Sequence, residues 1–218
     1  MGETAETRDA PVGLPGGRPN QFALPRGPLG WLAGRLMSRG NDITNRDVAS
    51  RLDIAPGERV LEVGYGPGGL LRLLLEQTPA ALVAGVDPSQ VMYRQARRAN
   101  RAHLGSGAGS GARRLDLRVG SVERLPFPDA SFDHAVGVNT VAIWPDLEAG
   151  LRELHRVLRP GGRLLLGWHG RHSPNRMQRR LGLSEQRIAE IQQAITRVFG
   201  PTDRADLTHL VTWQARRQ

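Results

Sequence analysis

The chain has no cysteine, which excludes disulfides, thiolate metal sites and a cysteine nucleophile. It has no lysine either, and all 30 basic residues are arginine. Arginine in place of lysine throughout, with abundant Ala and Gly, matches a GC-rich coding bias. The formal charge of +9 is therefore read as solvated surface. The doublets Arg97-Arg98, Arg113-Arg114 and Arg179-Arg180 are scattered, and aromatics, only 5% of the residues, are not interleaved with them. A stacking platform for single strands is missing, so nucleic acid is not an expected partner. Long apolar runs are absent too, because charges or turns interrupt every hydrophobic stretch, so no membrane span is expected. Residues 1–18 lack the basic-then-apolar layout of a signal peptide, and a cytoplasmic location is expected.

What is present is a chain of 218 residues, long enough to bury a full core as one domain. Residues 1–27 are rich in Gly and Pro and read as a flexible extension. Trp31, Leu32, Leu36 and Met37 recur at helical spacing, and a second helix is predicted over 42–52, ended by Ala55-Pro56-Gly57. Residues 28–53 thus form N-terminal helices and a candidate lid, and residues 54–218 form the main domain. From there strands and helices alternate. Strands are predicted at 59–63, 81–86, 115–119, 132–138, 163–168 and 207–215, and helices at 68–77, 89–102, 146–158 and 184–198. Residues 105–112 form a Gly-Ser-Ala loop with no side chain able to do chemistry, and 171–180 a polar loop. Such alternation means an α/β fold, an open, mostly parallel, doubly wound sheet with helices on both faces and ligands at the C-terminal strand ends.

One such end is distinctive. The strand Val60-Leu61-Glu62-Val63 breaks into Gly64-Tyr65-Gly66-Pro67-Gly68-Gly69, followed by a leucine-rich helix. Glycines allow a sharp turn and let a ligand approach the main chain. The helix start adds unpaired N–H groups and a positive dipole end. A nucleoside-containing cofactor suits this crevice. The loop alone leaves its identity open, since Gly64, Gly66 and Gly69 also satisfy the G-x-G-x-x-G spacing of a dinucleotide site.

Four blocks in order narrow the choice. The glycine loop from Glu62 to Gly68 resembles the first motif of class I S-adenosylmethionine-dependent methyltransferases. Gly85-Val86-Asp87-Pro88-Ser89 resembles their acidic second strand end. Residues 120–133 and 151–162 resemble the segment before strand four and the helix and turn before strand five. The resemblance covers about residues 42–168 and most resembles the ubiquinone- and menaquinone-type (type 11) subgroup. It implies a Rossmann-like sheet of seven strands with an antiparallel C-terminal strand. It also implies S-adenosylmethionine as cofactor, S-adenosylhomocysteine as product, no metal, and a small-molecule acceptor methylated at O, N or C by a monomer or homodimer. An RNA or protein methyltransferase, suggested by charge, and a nicotinamide-dependent oxidoreductase, suggested by glycine spacing, are the alternatives.

The resemblance carries residue roles. Gly64, Tyr65, Gly66 and Gly68 form the cofactor cradle, and Glu62 faces the cofactor's ammonium unless it pairs with an arginine such as Arg59. Asp87, followed by Pro88, holds the ribose hydroxyls, or else caps the next helix. The family's acidic adenine contact is replaced here by Ser121, with Val122 and Glu123 as further contacts. Asn139 lines the methyl-donor cavity. The acceptor is expected among Trp31, Thr140, Trp144, Trp168 and His172, and His169 is the candidate general base, against a reading as a hydrogen-bonded strand-end histidine. His155 and Arg156 read as surface or packing residues.

Overall fold

The computed structural model describes residues 42–104, 114–170 and 176–218. Its central strand β1 (Arg59–Val63) is buried from Val60 onward, as expected of a strand covered on both faces. Gly64, Gly66 and Gly68, all at positive φ, turn the chain into α2 (Gly69–Gln77). Five leucines of α2 are buried, each worth about 1.5–3 kcal/mol relative to exposure. The chain then steps outward through β2 (Leu82–Asp87), α3 (Gln90–Ala99) and β3 (Leu115–Val119). It returns to the other side of β1 as β4 (Phe132–Val138), α4 (Leu147–Val157) and β5 (Leu158–His169). After α5 (Arg176–Arg180) and α6 (Glu185–Phe199), the hairpin β6 (Thr202–Asp206) and β7 (Leu210–Arg216) completes the sheet.

The strand order is β3-β2-β1-β4-β5-β7-β6. Pairings from β3 to β5 are parallel, and β7 runs antiparallel to both its neighbours. The chain reverses its direction of progress between β1 and β4, and a crevice opens above that point. Alternation along β1 divides the core. Leu61 and Val63 join buried residues of α4 and α6 on one face. Val60 joins buried residues of α2, α3 and α1 (Asp42–Ala49) on the other.

Several expectations shift. The first described helix ends at Ala49, three residues early, although Leu52 beyond it stays buried. β5 begins at Leu158 instead of 163, so Pro160-Gly161-Gly162 lies within the strand and does not precede it. It is accommodated by a register shift opposite Phe132 and His134. Gly161 takes φ 78° and donates to Arg217 O at 2.8 Å. The single closing strand over 207–215 is two strands, because Thr202–Asp206 is polar and lacks alternating apolar residues. Within the polar 171–180 stretch, Arg176–Arg180 is a short helix. The predicted Trp31–Met37 helix and the 105–112 loop lie outside the described residues. No helix among the described residues is long and apolar enough to cross a membrane.

Candidate active-site cleft

The crevice at the C-terminal ends of β1, β2 and β4 is lined by Glu62, Gly64, Tyr65, Gly66, Asp87, Pro88, Ser121, Val122, Asn139, Thr140 and Trp144. Eleven of the residues singled out in the sequence thus meet in one cavity. Adding a Cβ to Gly66 would meet nothing within 4 Å. That position faces open space, where a ligand can lie against the main chain.

Asp87 fixes the loop. One carboxylate oxygen accepts from the Gly66 N–H at 2.9 Å and the other from the Ser89 N–H at 2.8 Å. The side chain is only 6% exposed, and burial pushes its pKa up to about 6 against the two backbone donors. The cap of α3 is Ser89, whose hydroxyl accepts from the Met92 N–H at 3.4 Å. Asp87 is therefore not the helix cap, and each of its oxygens keeps a lone pair for a further donor.

Glu62 is 4% exposed and makes no ion pair among the described residues. Arg59 lies instead over the Phe132 ring, 5.6 Å from its centroid. Burial and the neighbouring Asp87 charge hold the Glu62 carboxyl well above its ordinary pKa, offset only by a hydrogen bond from the Leu71 backbone. Its Oε2 is buried without a partner. An unpaired buried carboxylate oxygen is costly, and a cationic donor in the cleft would relieve that cost.

Glycines elsewhere shape the walls. The Tyr65 ring lies 2.6 Å from where a Gly85 Cβ would stand, and its hydroxyl donates to Arg118 O at 3.2 Å. A Cβ on Gly64 would stand 2.3 Å from Thr140 Cγ2, so the loops after β1 and β4 interlock. Asn139 takes φ 58° and its N–H donates to Gly167 O at 2.8 Å. This left-handed turn is less costly for Asn than for most side chains and brings the chain into the cleft wall.

Other expected residues stand elsewhere. Gly68 packs the loop against α3, since its Cβ would meet Asn100 Nδ2 at 2.7 Å and Ala96 Cβ at 2.9 Å. Glu123 accepts from the Asp146 N–H at 3.3 Å, outside the lining. Trp168 is in the core, its indole N–H donating to Leu181 O at 2.7 Å. His169 is 8% exposed and does not line the cleft. It ends β5, one strand beyond β4, and burial pushes its pKa down to about 4. A general-base role for His169 would require the acceptor to reach this neighbouring strand end. Trp31 and His172 lie outside the described residues.

Sequence reasoning missed three kinds of residue. Asn45, from the buried side of α1, lines the cleft beside Gly69. A polar residue on the apolar side of an amphipathic helix was the available signal. Met92, Ile143 and Pro145 complete the wall and carry no chemical signature. Arg156 is more than a surface residue. It donates to Leu125 O at 3.0 Å and Phe127 O at 2.9 Å, and pairs with Asp129 and Glu153 at 2.7 Å. It thereby pins the segment that leads into β4.

Residues 61–166 match the model of a methyltransferase domain family. An uncharacterized methyltransferase of Bacillus subtilis, YdaC, is 29% identical over 163 residues, covering 75% of this chain and 84% of that protein. A demethylmenaquinone methyltransferase of Thermus thermophilus is 37% identical over 139 residues, covering 62% of this chain and 58% of that protein. The chain thus spans little more than half the length of that relative, and 54% of a ubiquinone/menaquinone C-methyltransferase of Geotalea daltonii. Among solved structures, a putative S-adenosylmethionine-dependent methyltransferase of Methanococcus maripaludis superposes with a TM-score of 0.71 at 18% identity. The match covers 94% of this chain and 98% of that one. Sequence and fold agree: residues 61–166 match a methyltransferase domain, and the described fold is that of a putative S-adenosylmethionine-dependent methyltransferase of solved structure.

Proposed function

We propose that the cleft binds S-adenosylmethionine and transfers its methyl group to a small-molecule acceptor. The observation that carries this reading is the unpartnered, buried Oε2 of Glu62 in a cleft whose other buried acid is Asp87. Two carboxylates and no lysine or arginine among the described lining residues suit a cationic ligand and oppose the pyrophosphate of a dinucleotide. Glu62 would receive the ammonium of the cofactor's amino-acid part, and Asp87 the ribose hydroxyls. Gly64, Gly66 and the Tyr65 backbone would lie beside the ligand, with Ser121, Val122 and Asn139 around its base and donor end. The bound cofactor supplies an electrophilic methyl on a sulfonium that leaves as a neutral thioether.

The protein's own task is then alignment and exclusion of water. Thr140, Ile143, Trp144 and Pro145 form a largely apolar wall that would orient the acceptor. The described lining therefore supports activation of the acceptor by placement against the donor. Asn45 in the lining supports α1 as part of the cleft wall beside the glycine loop.

Two measurements test the proposal. Calorimetry should give saturable binding of S-adenosylhomocysteine and none of NADH, and the reverse would remove the reading. Methyl-labelled cofactor incubated with a metabolite extract, a protein extract and total RNA should label the low-mass fraction. Label confined to RNA or protein would replace the small-molecule acceptor with a macromolecule.

A further inference from the structure

The arginines that look scattered in sequence are sorted by the fold. On the face covered by α4 and α6, Arg152, Arg156, Arg187 and Arg197 are all in ion pairs with Glu or Asp. On the opposite face α3 carries Arg94, Arg97 and Arg98, with Arg101 in the turn that follows. All four are exposed, and none is in an ion pair among the described residues. Residues 88–115 hold six arginines and no Asp or Glu, against a net charge of +9 for the whole chain. The neighbouring acid does not compensate. Leu115 and Leu117 of β3 pack on the α3 side, so alternation sends Asp116 to the other face, where it pairs with Arg118 at 2.8 Å.

We infer that the outer face of α3 is a docking surface for the sugar–phosphate backbone of a duplex nucleic acid, bound without regard to base sequence. Spacings of three and one residue put Arg94, Arg97 and Arg98 on one side of the helix, with Arg101 in the turn beyond its end. The three on the helix extend over about 6 Å of its axis at 1.5 Å per residue. Guanidinium forks engage phosphate oxygens in pairs. Unpaired arginines are ready for that role without first breaking a bond, unlike those of α4 and α6. An acidic bilayer would ask for apolar side chains to insert beside the charges. The exposed large hydrophobics among the described residues are Ile43, Val119 and Leu181, none of them on α3. The exposed residues of α3 include no aromatic, Tyr93 being half-buried, which makes the binding electrostatic and backbone-directed. Met92 lines the cleft from the buried side of α3, and the arginines stand on the outer side of the same helix. The inference does not depend on which acceptor is methylated.

The experiment uses fluorescence anisotropy of a labelled 20-base-pair duplex, as DNA and as RNA, with the full chain. Two charge-matched variants are compared. One is Arg94→Gln, Arg97→Gln, Arg98→Gln and Arg101→Gln. The other removes four exposed arginines elsewhere, Arg124→Gln, Arg176→Gln, Arg180→Gln and Arg216→Gln. Wild type should bind, and its affinity should fall about a hundredfold between 50 and 200 mM salt if some four phosphates are engaged. The α3 variant should lose most of that affinity and flatten the salt slope by about 3–4, whereas the second variant should keep the wild-type slope. Equal losses in both variants would reduce the effect to net charge and overturn the inference. So would no binding at 50 mM salt, or binding to phosphatidylglycerol vesicles that matches or exceeds binding to the duplex.

Discussion

Buried or half-buried carboxylates stand at both ends of the sheet, and the two ends treat them in opposite ways. At the N-terminal strand ends, Glu58 meets His134 Nε2 at 2.7 Å and Arg159 at 3.4 Å. Asp133 accepts from the Arg59 N–H at 2.6 Å and pairs with Arg159. Partners there hold the Glu58 carboxyl below its ordinary pKa despite burial. At the C-terminal ends, Glu62 and Asp87 face each other's charge with backbone donors only, and both pKa values rise. Residues 58 and 62 belong to the same run of chain, so local sequence does not explain the contrast. The protein gives its acids charged side-chain partners at one end and backbone donors alone at the other. An incomplete set of buried acids is the expected mark of a site whose missing partner arrives as ligand.

The strongest way to break the comparison is to fill the cleft. Gly66→Val puts a branched side chain into open space at φ 52°, a left-handed conformation that costs a non-glycine residue about 1–2 kcal/mol. Binding of S-adenosylhomocysteine should become undetectable by calorimetry while circular dichroism still reports the fold.

Truncating an acid at each end should separate the two roles. Asp87→Ala removes charge-assisted bonds worth about 1.5–3 kcal/mol, so cofactor affinity should fall roughly ten- to hundredfold. Asp87→Asn should recover part of it, because an amide oxygen still accepts from one of the two backbone donors.

Titration should sharpen the contrast. Asp87 has a folded pKa of about 6 against an ordinary 3.8. As the folded value is raised, its contribution to the stability of the free protein is full below about pH 3.8 and lost as pH rises through about 6. Ribose hydroxyls prefer the carboxylate, so ligand binding runs the other way. Affinity should weaken up to about tenfold per pH unit below 6, and proton release on binding should appear as a dependence of calorimetric heat on buffer ionisation enthalpy.

The smallest effect on binding belongs to the opposite end. Asp133→Ala strands the Arg59 N–H and Arg159, and should lower unfolding free energy by about 1–3 kcal/mol in a denaturant titration. The cofactor dissociation constant should stay at the wild-type value.

The sheet was legible because its strands are short, apolar and β-branched, and the limits of β1, β3 and β4 follow from that pattern alone. β6 was hidden because a polar edge strand shows no alternation, and the start of β5 because a glycine turn normally ends an element. In the site, glycines and acids at strand ends announced themselves. Asn45 did not, since its place in the cleft is decided by how α1 packs on α2. His169 stands at the strand end expected of it but outside the described lining, because which strand borders the crevice is set by sheet order. The arginines of α3 stand out in sequence only as the Arg97-Arg98 doublet, because the ion pairing that occupies those of the opposite face is a property of tertiary structure.

The tie between Asp87 and the Gly66 N–H has a kinetic consequence. The loop is already clamped in its curved form before any ligand arrives, with its hydrogen bonds made and its backbone entropy spent in folding. Cofactor encounter then requires no ordering of that segment, and the interface backbone should move by no more than about 1 Å. Association through this loop should be a single step whose rate rises linearly with ligand concentration, without the plateau that a slow rearrangement imposes. Differences in affinity among related nucleosides should therefore appear in how long each one stays.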